Sequence, residues 1–173
     1  FNFSGTVEEL RMTTQGGLAI TLSNDLQVVN TLTLDANTAG NNFYMPNGTG
    51  TRKLKVGGNI STGVLSWHVS TNTFISLTGS TNQTISGAGT MYLLDVSKTG
   101  GDVIMPVDLQ LHGNGQLTGS GFLDNQGGVL RTLGNATFNF SGTVEDLRMT
   151  TQGGYAVTLS NDLQVINTLT LDA

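Results

Sequence analysis

Residues 1–36, beginning FNFSGTVEELRMTTQGG, are written again at residues 138–173. Only four aligned positions differ: Glu9/Asp146, Leu18/Tyr155, Ile20/Val157 and Val29/Ile166. Three of these keep charge or apolar shape; only Leu18/Tyr155 changes the character of the side chain. Phe1 answers to Phe138 and Ala36 to Ala173, with no insertion between. Duplication this close over this length marks a long-period tandem repeat rather than two independent domains. We read residues 1–137 as one full repeat of a continuous structure and residues 138–173 as the start of the next, equivalent to 1–36, with no separate domains. The reading expects NTAGNNFYMPNG, which follows Ala36, to follow Ala173 in a longer periodic protein.

Within the repeat the apolar residues recur with a period of two. LRM places Leu10 and Met12 on one face and Arg11 on the other; DLQV opposes Leu26 and Val28 to Gln27; TLTLD opposes Leu32 and Leu34 to Thr31 and Thr33. Alternation of this kind is the pattern of half-buried strands. Gly16-Gly17, Asn24-Asp25, Asn47-Gly48, Gly57-Gly58, Gly100-Gly101 and Gly127-Gly128 supply turns between the runs. No stretch carries helical apolar spacing. The runs are short for a sandwich or a barrel. A solenoid tolerates short strands because each coil stacks on the next and shares one buried column. Three short strands and three turns make a coil of roughly 20–25 residues. The repeat then divides into about six coils, near residues 1–24, 25–51, 52–73, 74–94, 95–117 and 118–137. With stacked strands about 4.8 Å apart, the repeat should rise about 30 Å. The expected fold is all-β: a right-handed parallel β-helix, or β-solenoid. Its inward residues are Leu10, Met12, Ile20, Leu22, Leu26, Val28, Leu32, Leu34 and their equivalents at 147–171. Two shorter echoes, LRMTTQGG (147–154) with LDVSKTGG (94–101) and NDLQVIN (161–167) with VDLQLHG (107–113), suggest coil-level repetition.

Composition narrows the function. The net charge is −5 and only 11% of residues are charged. The single tight basic group, Arg52, Lys53 and Lys55, is small for a phosphate footprint, and reads as a solvated strand face. Nucleic acid is therefore not an expected partner. There is no Cys, which removes disulfides, thiolate catalysis and thiolate metal sites. No apolar run is long enough for a membrane span. Outward Thr and Asn are expected to stack as hydrogen-bonded ladders between coils.

NQTISGAGTMYLLDVSKTGG (82–101), AVTLSNDLQVINTLTLDA (156–173) and GQLTGSGFLDNQGG (115–128) resemble the β-helix repeats of very large secreted or surface proteins of Bacteroidetes-type bacteria. The resemblance covers nearly the whole chain and lies in a style of strands and small turns rather than a strict motif. It implies a right-handed parallel β-helix, an extracellular or cell-surface location in a bacterium, and a structural or adhesive role. It carries no catalytic motif.

The residues themselves point to no reaction centre. His68 and His112 stand in different coils with ordinary neighbours, and a metal site needs more ligands than that. No GxSxG elbow is present. The acids Asp25, Asp35, Asp95, Asp102, Asp108, Asp124 and Asp162 are spread along the chain rather than clustered as in a polysaccharide-cleaving β-helix. Glu8-Glu9 and Glu145-Asp146 are adjacent pairs, which on a strand face opposite ways. Trp67, Tyr44, Tyr92 and Tyr155 could stack on sugars or simply occupy corners. We expect no catalytic, cofactor-binding or metal-binding residues, no cofactor and no enzyme activity. The expected role is a structural segment of a giant extracellular repeat protein, forming a stalk, fibre or sheath. Its partner is then itself, through stacked coils, tandem repeats and filament assembly. An adhesin or glycan-binding β-helix module that holds surface glycans is the alternative, and a polysaccharide lyase or hydrolase a third.

Overall fold

A computed structural model describes residues 4–14, 21–36, 42–45, 50–63, 67–70, 72–87, 89–150 and 153–172. In chain order the strands are β1 (Gly5–Val7), β2 (Leu10–Thr14), β3 (Leu26–Val28), β4 (Leu32–Ala36), β5 (Asn42–Met45), β6 (Arg52–Val56), β7 (Ile60–Thr62), β8 (Trp67–Ser70), β9 (Thr73–Leu77), β10 (Gln83–Ser86), β11 (Thr90–Val96), β12 (Val103–Ile104), β13 (Leu109–Asp124), β14 (Leu130–Leu133), β15 (Ala136–Thr150), β16 (Val157–Leu159) and β17 (Leu163–Asp172). Every pairing among the described residues is parallel. The chain winds about seven turns of a parallel β-solenoid, as the short alternating runs predict, and the described residues contain no helix.

The ladders define three faces. On the first, Leu26, Leu54, Ile75, Leu94, Leu117 and Phe138 lie one above another. The second carries Leu32, Ile60 and Ile85, then Val103, Leu123 and Val144. On the third, Leu109, Leu130 and Leu147 form one column and Met91, Leu111, Thr132 and Met149 another. All of these are buried, most of them completely. Period-two alternation thus turns one side of each strand into a continuous apolar core. The first-face strands begin near residues 52, 73, 94, 115 and 136, close to the coil divisions drawn from sequence.

Strand length departs from expectation. β13, β15 and β17 run 16, 15 and 10 residues, so pairing continues around corners where a turn was expected. β13 serves all three faces. Glycine allows this at Gly119, which has φ +95° and whose added Cβ would lie 2.0 Å from the Val96 carbonyl oxygen. Only a residue without a side chain can bend the ladder there while keeping its hydrogen bonds.

The duplicated segments fold alike but stand on different faces. Gly5–Val7 pairs with Leu26–Val28, and Gly142–Val144 pairs with Leu163–Val165 in the same register. Leu10 meets Leu32 as Leu147 meets Leu169, and Met12 meets Leu34 as Met149 meets Leu171. The Arg11–Asp35 ion pair returns as Arg148–Asp172. Yet six ladder steps on the first face carry Gly5 to Phe138, not to Gly142. Val144 belongs to the second face, above Leu123. The displacement from Gly5 to Gly142 is therefore six coils plus one face, and the second copy is turned by about a third of a turn. The shorter echoes shift too: Leu94 stands on the first face and Leu147 on the third.

Candidate functional site

The described structure brings chemistry together in buried polar clusters around Asp95 and Gln83 and at the end of the solenoid formed by β16 and β17. The first cluster centres on Asp95, in β11 between the inward Leu94 and Val96. Alternation turns its carboxylate outward, into the first-face row Ser76–Asp95–Thr118. Outward here does not mean exposed: Asp95 is 5% accessible. Its carboxylate accepts hydrogen bonds from Lys53 Nζ (2.8 Å), Ser76 Oγ (2.5 Å), Ser97 Oγ (2.7 Å) and Thr118 Oγ1 (2.8 Å). Burial alone would raise its pKa; the bonds from Lys53, Ser76, Ser97 and Thr118 outweigh it and hold the pKa at about 2. Three of these donors converge on Oδ2 and one on Oδ1, so the carboxylate is held by residues of the neighbouring coils and by Ser97 beside it. Its work is to bind coils to each other.

Gln83 does the same at the second face. It is fully buried. Its Oε1 accepts from Gly79 N (2.8 Å) and Lys98 Nζ (2.9 Å), and its Nε2 donates to the carbonyls of Val56 and Gly58. Burial lowers the pKa of Lys98, against the attraction of Asp102.

A second device was not read from the sequence. An Asn or Asp stands immediately before β3, β7, β10, β13 and β15. Each accepts a backbone N–H from the next coil: Asp25 from Lys53 (2.8 Å), Asn59 from Thr84 (2.8 Å), Asn82 from Asp102 (3.0 Å), Asp108 from Val129 (3.0 Å) and Asn135 from Ala156 (2.9 Å). These side chains satisfy amides where the turn interrupts the ladder. The signal was available as an Asx residue directly ahead of each of these five strands. Of the expected polar ladders, Asn135 donates to Asn114 (3.4 Å) and Asn161 to Asn139 (2.8 Å).

The basic group lies on an accessible strand face, as expected, and is also tied to other coils. Arg52 Nε donates to the Ser23 carbonyl (2.9 Å), Lys53 holds Asp95, and Lys55 pairs with Asp25 (3.0 Å). Glu145 caps the N–H groups of Asn125 (2.9 Å) and Gln126 (3.4 Å), and Glu8 accepts from Asn30 (3.2 Å). A cleft of about 200 Å³ lies between Arg131 and Arg148, with Asp146, Thr168 and Thr170 at its walls. Asp108 pairs with Arg131 (2.6 Å) and Asp172 with Arg148, so each of the two guanidinium charges has a carboxylate beside it.

Of the histidines, His112 sits beside Tyr92, with the phenol oxygen 3.3 Å from Nδ1 and ring centroids 5.8 Å apart. Tyr155 is 48% exposed. The side chains of Trp67, His68 and Tyr44, and all of Leu18 and Ile20, lie outside the described residues. Among the described residues no three His, Asp or Glu side chains gather as metal ligands, and no helix is long and apolar enough to cross a membrane.

The open end is the surface presented by β16 and β17. Leu159 (52%), Leu169 (51%) and Leu171 (66%) are exposed there. Their counterparts Leu22, Leu32 and Leu34 are buried in the first copy, which β6 and β7 cover. No protein-family model, no curated protein and no solved structure matches this chain.

Proposed function

We propose that this chain is a structural segment of a giant extracellular repeat protein of a bacterial surface, forming a stalk, fibre or sheath by coil stacking. The observation that carries the reading is the duplicated sequence, which builds the same pairing register twice along one uninterrupted core. A chain that can repeat its own coils without a break can lengthen indefinitely at constant cross-section. Asp95 and Gln83, two buried polar residues with four hydrogen-bond partners each, are spent on joining coils. That suits a non-catalytic, load-bearing role. The test is the denatured mass of the native polypeptide together with electron microscopy of the native particle. We expect a native chain many times the length of this one and a rod of uniform width. A native chain of this length, globular in images, would overturn the proposal.

The half-buried Tyr92–His112 pair on the third face favours one second reading, an adhesin or glycan-binding module. Glycan-array binding by the chain that disappears in Tyr92→Ala would support it.

A further inference from the structure

The open end of β16 and β17 has an occupant that can be named from the molecule itself. Leu163–Asp172 repeats Leu26–Asp35 with one change, Val29 to Ile166. Among the described residues each coil pairs with the next, and β16 and β17 carry no coil on their outer side. In the first copy, Leu26 and Val28 lie under Leu54 and Val56, and Leu32 lies under Ile60. The first-copy edge also recognises charge. Asp25 accepts the backbone N–H of Lys53 (2.8 Å) and pairs with Lys55 Nζ (3.0 Å), and the Ser23 carbonyl takes Arg52 Nε (2.9 Å). The same groups return at the open end as Ser160 and Asp162, both exposed, in a shallow depression with Leu159, Asn161 and Leu163.

We propose that this edge docks a parallel coil of the chemistry of residues 50–62: a basic-apolar strand of the RKLKV kind followed by a short apolar strand of the IST kind. The incoming Lys pair meets Asp162, and the incoming Leu, Val and Ile close over Leu163, Val165 and Leu169. Because the second copy is turned by one face, the RKLKV-like strand lands on the second face and not on the first. This proposal rests on the stacked-coil reading above and specifies its joint.

The test appends the sequence of residues 37–62 after Ala173 and measures hydrogen exchange of the Leu163–Asp172 amides in the extended and the original chain. We expect these amides to slow at least tenfold on extension. Leu171→Asp in the extended chain should abolish the gain; Leu171 is already exposed, so this substitution leaves the original fold intact. Equal exchange in both chains would overturn the proposal. So would protection already present in the original chain that vanishes on dilution, since a second copy would then be the occupant. A short native chain would sink the fibre reading and leave the docking result standing; failed docking beside a long native chain would do the reverse.

Discussion

At the residue scale, the chain is held by a few saturated polar groups set among apolar columns. Asp95 shows how this couples to pH. Its folded pKa of about 2 lies below the ordinary 3.8, so its contribution is complete above about pH 4 and is lost as pH falls toward 2. That difference corresponds to on the order of 2 kcal/mol at neutral pH. Asp95→Asn should therefore lower stability by about 2 kcal/mol at pH 7 and flatten the fall between pH 4 and pH 2, read from urea melts across that range. An unchanged acid limb would show that the four donors do not hold the charge. Gln83→Leu should cost about 2 kcal/mol, because the Gly79 N–H and the Gly58 carbonyl lose a partner in a buried turn. Denaturant midpoints check this; a neutral effect would mean that water reaches the turn.

At the element scale, each strand is stable through the coils above and below it rather than through its own sequence. The duplication makes this measurable within one molecule. Leu34 and Leu171 share the sequence TLTLD, but Leu34 is 1% exposed and Leu171 66%. Leu34→Ala should cost about 3 kcal/mol, the usual range for a fully buried leucine, and Leu171→Ala about 0.5 kcal/mol or less. Thermal and chemical melts of the two variants decide the matter. Equal losses would mean that the open end is covered in solution. The same logic explains the long strands. β13 and β15 keep their pairing around a corner because the two neighbouring coils match in length there. Their register runs without a shift from Gly115↔Ala136 to Leu123↔Val144.

At the scale of the whole molecule, the repeat is not a whole number of coils, and this should wind the rod. In a concatemer each unit advances about 30 Å, from strands about 4.8 Å apart, and turns by about a third of a revolution. Every repeat feature, such as the Arg11–Asp35 pair, would then return to the same face only after three units. Helical reconstruction from electron micrographs of such a concatemer measures rise and rotation together. Units stacked without rotation would show that the corner spacing between Phe140 and Leu147 is not kept in the longer rod.

The class of fold, the approximate coil divisions and those inward residues that a further coil covers were legible in the sequence; Leu159, Leu169 and Leu171, expected inward, are exposed for want of that coil. Each depends on local patterning, since alternation decides which side of a strand is apolar and Gly or Asn pairs decide where it ends. Leu26, Val28, Leu32 and Leu34 are buried as that pattern requires. Three features came only from the assembled coils. Asp95, outward by alternation, became buried because Lys53, from a coil two steps away, reaches over it together with Ser76, Ser97 and Thr118. Arg52, Lys53 and Lys55 became coil ties because Ser23, Asp25 and Asp95 come to stand beside them. The two copies came to lie on different faces because their angular position is the sum of every coil length between them. Those lengths are unequal: on the first face the step from Ile75 to Leu94 is the shortest and that from Leu26 to Leu54 the longest. No local pattern carries that sum, whereas burial needs only the neighbours that stacking provides.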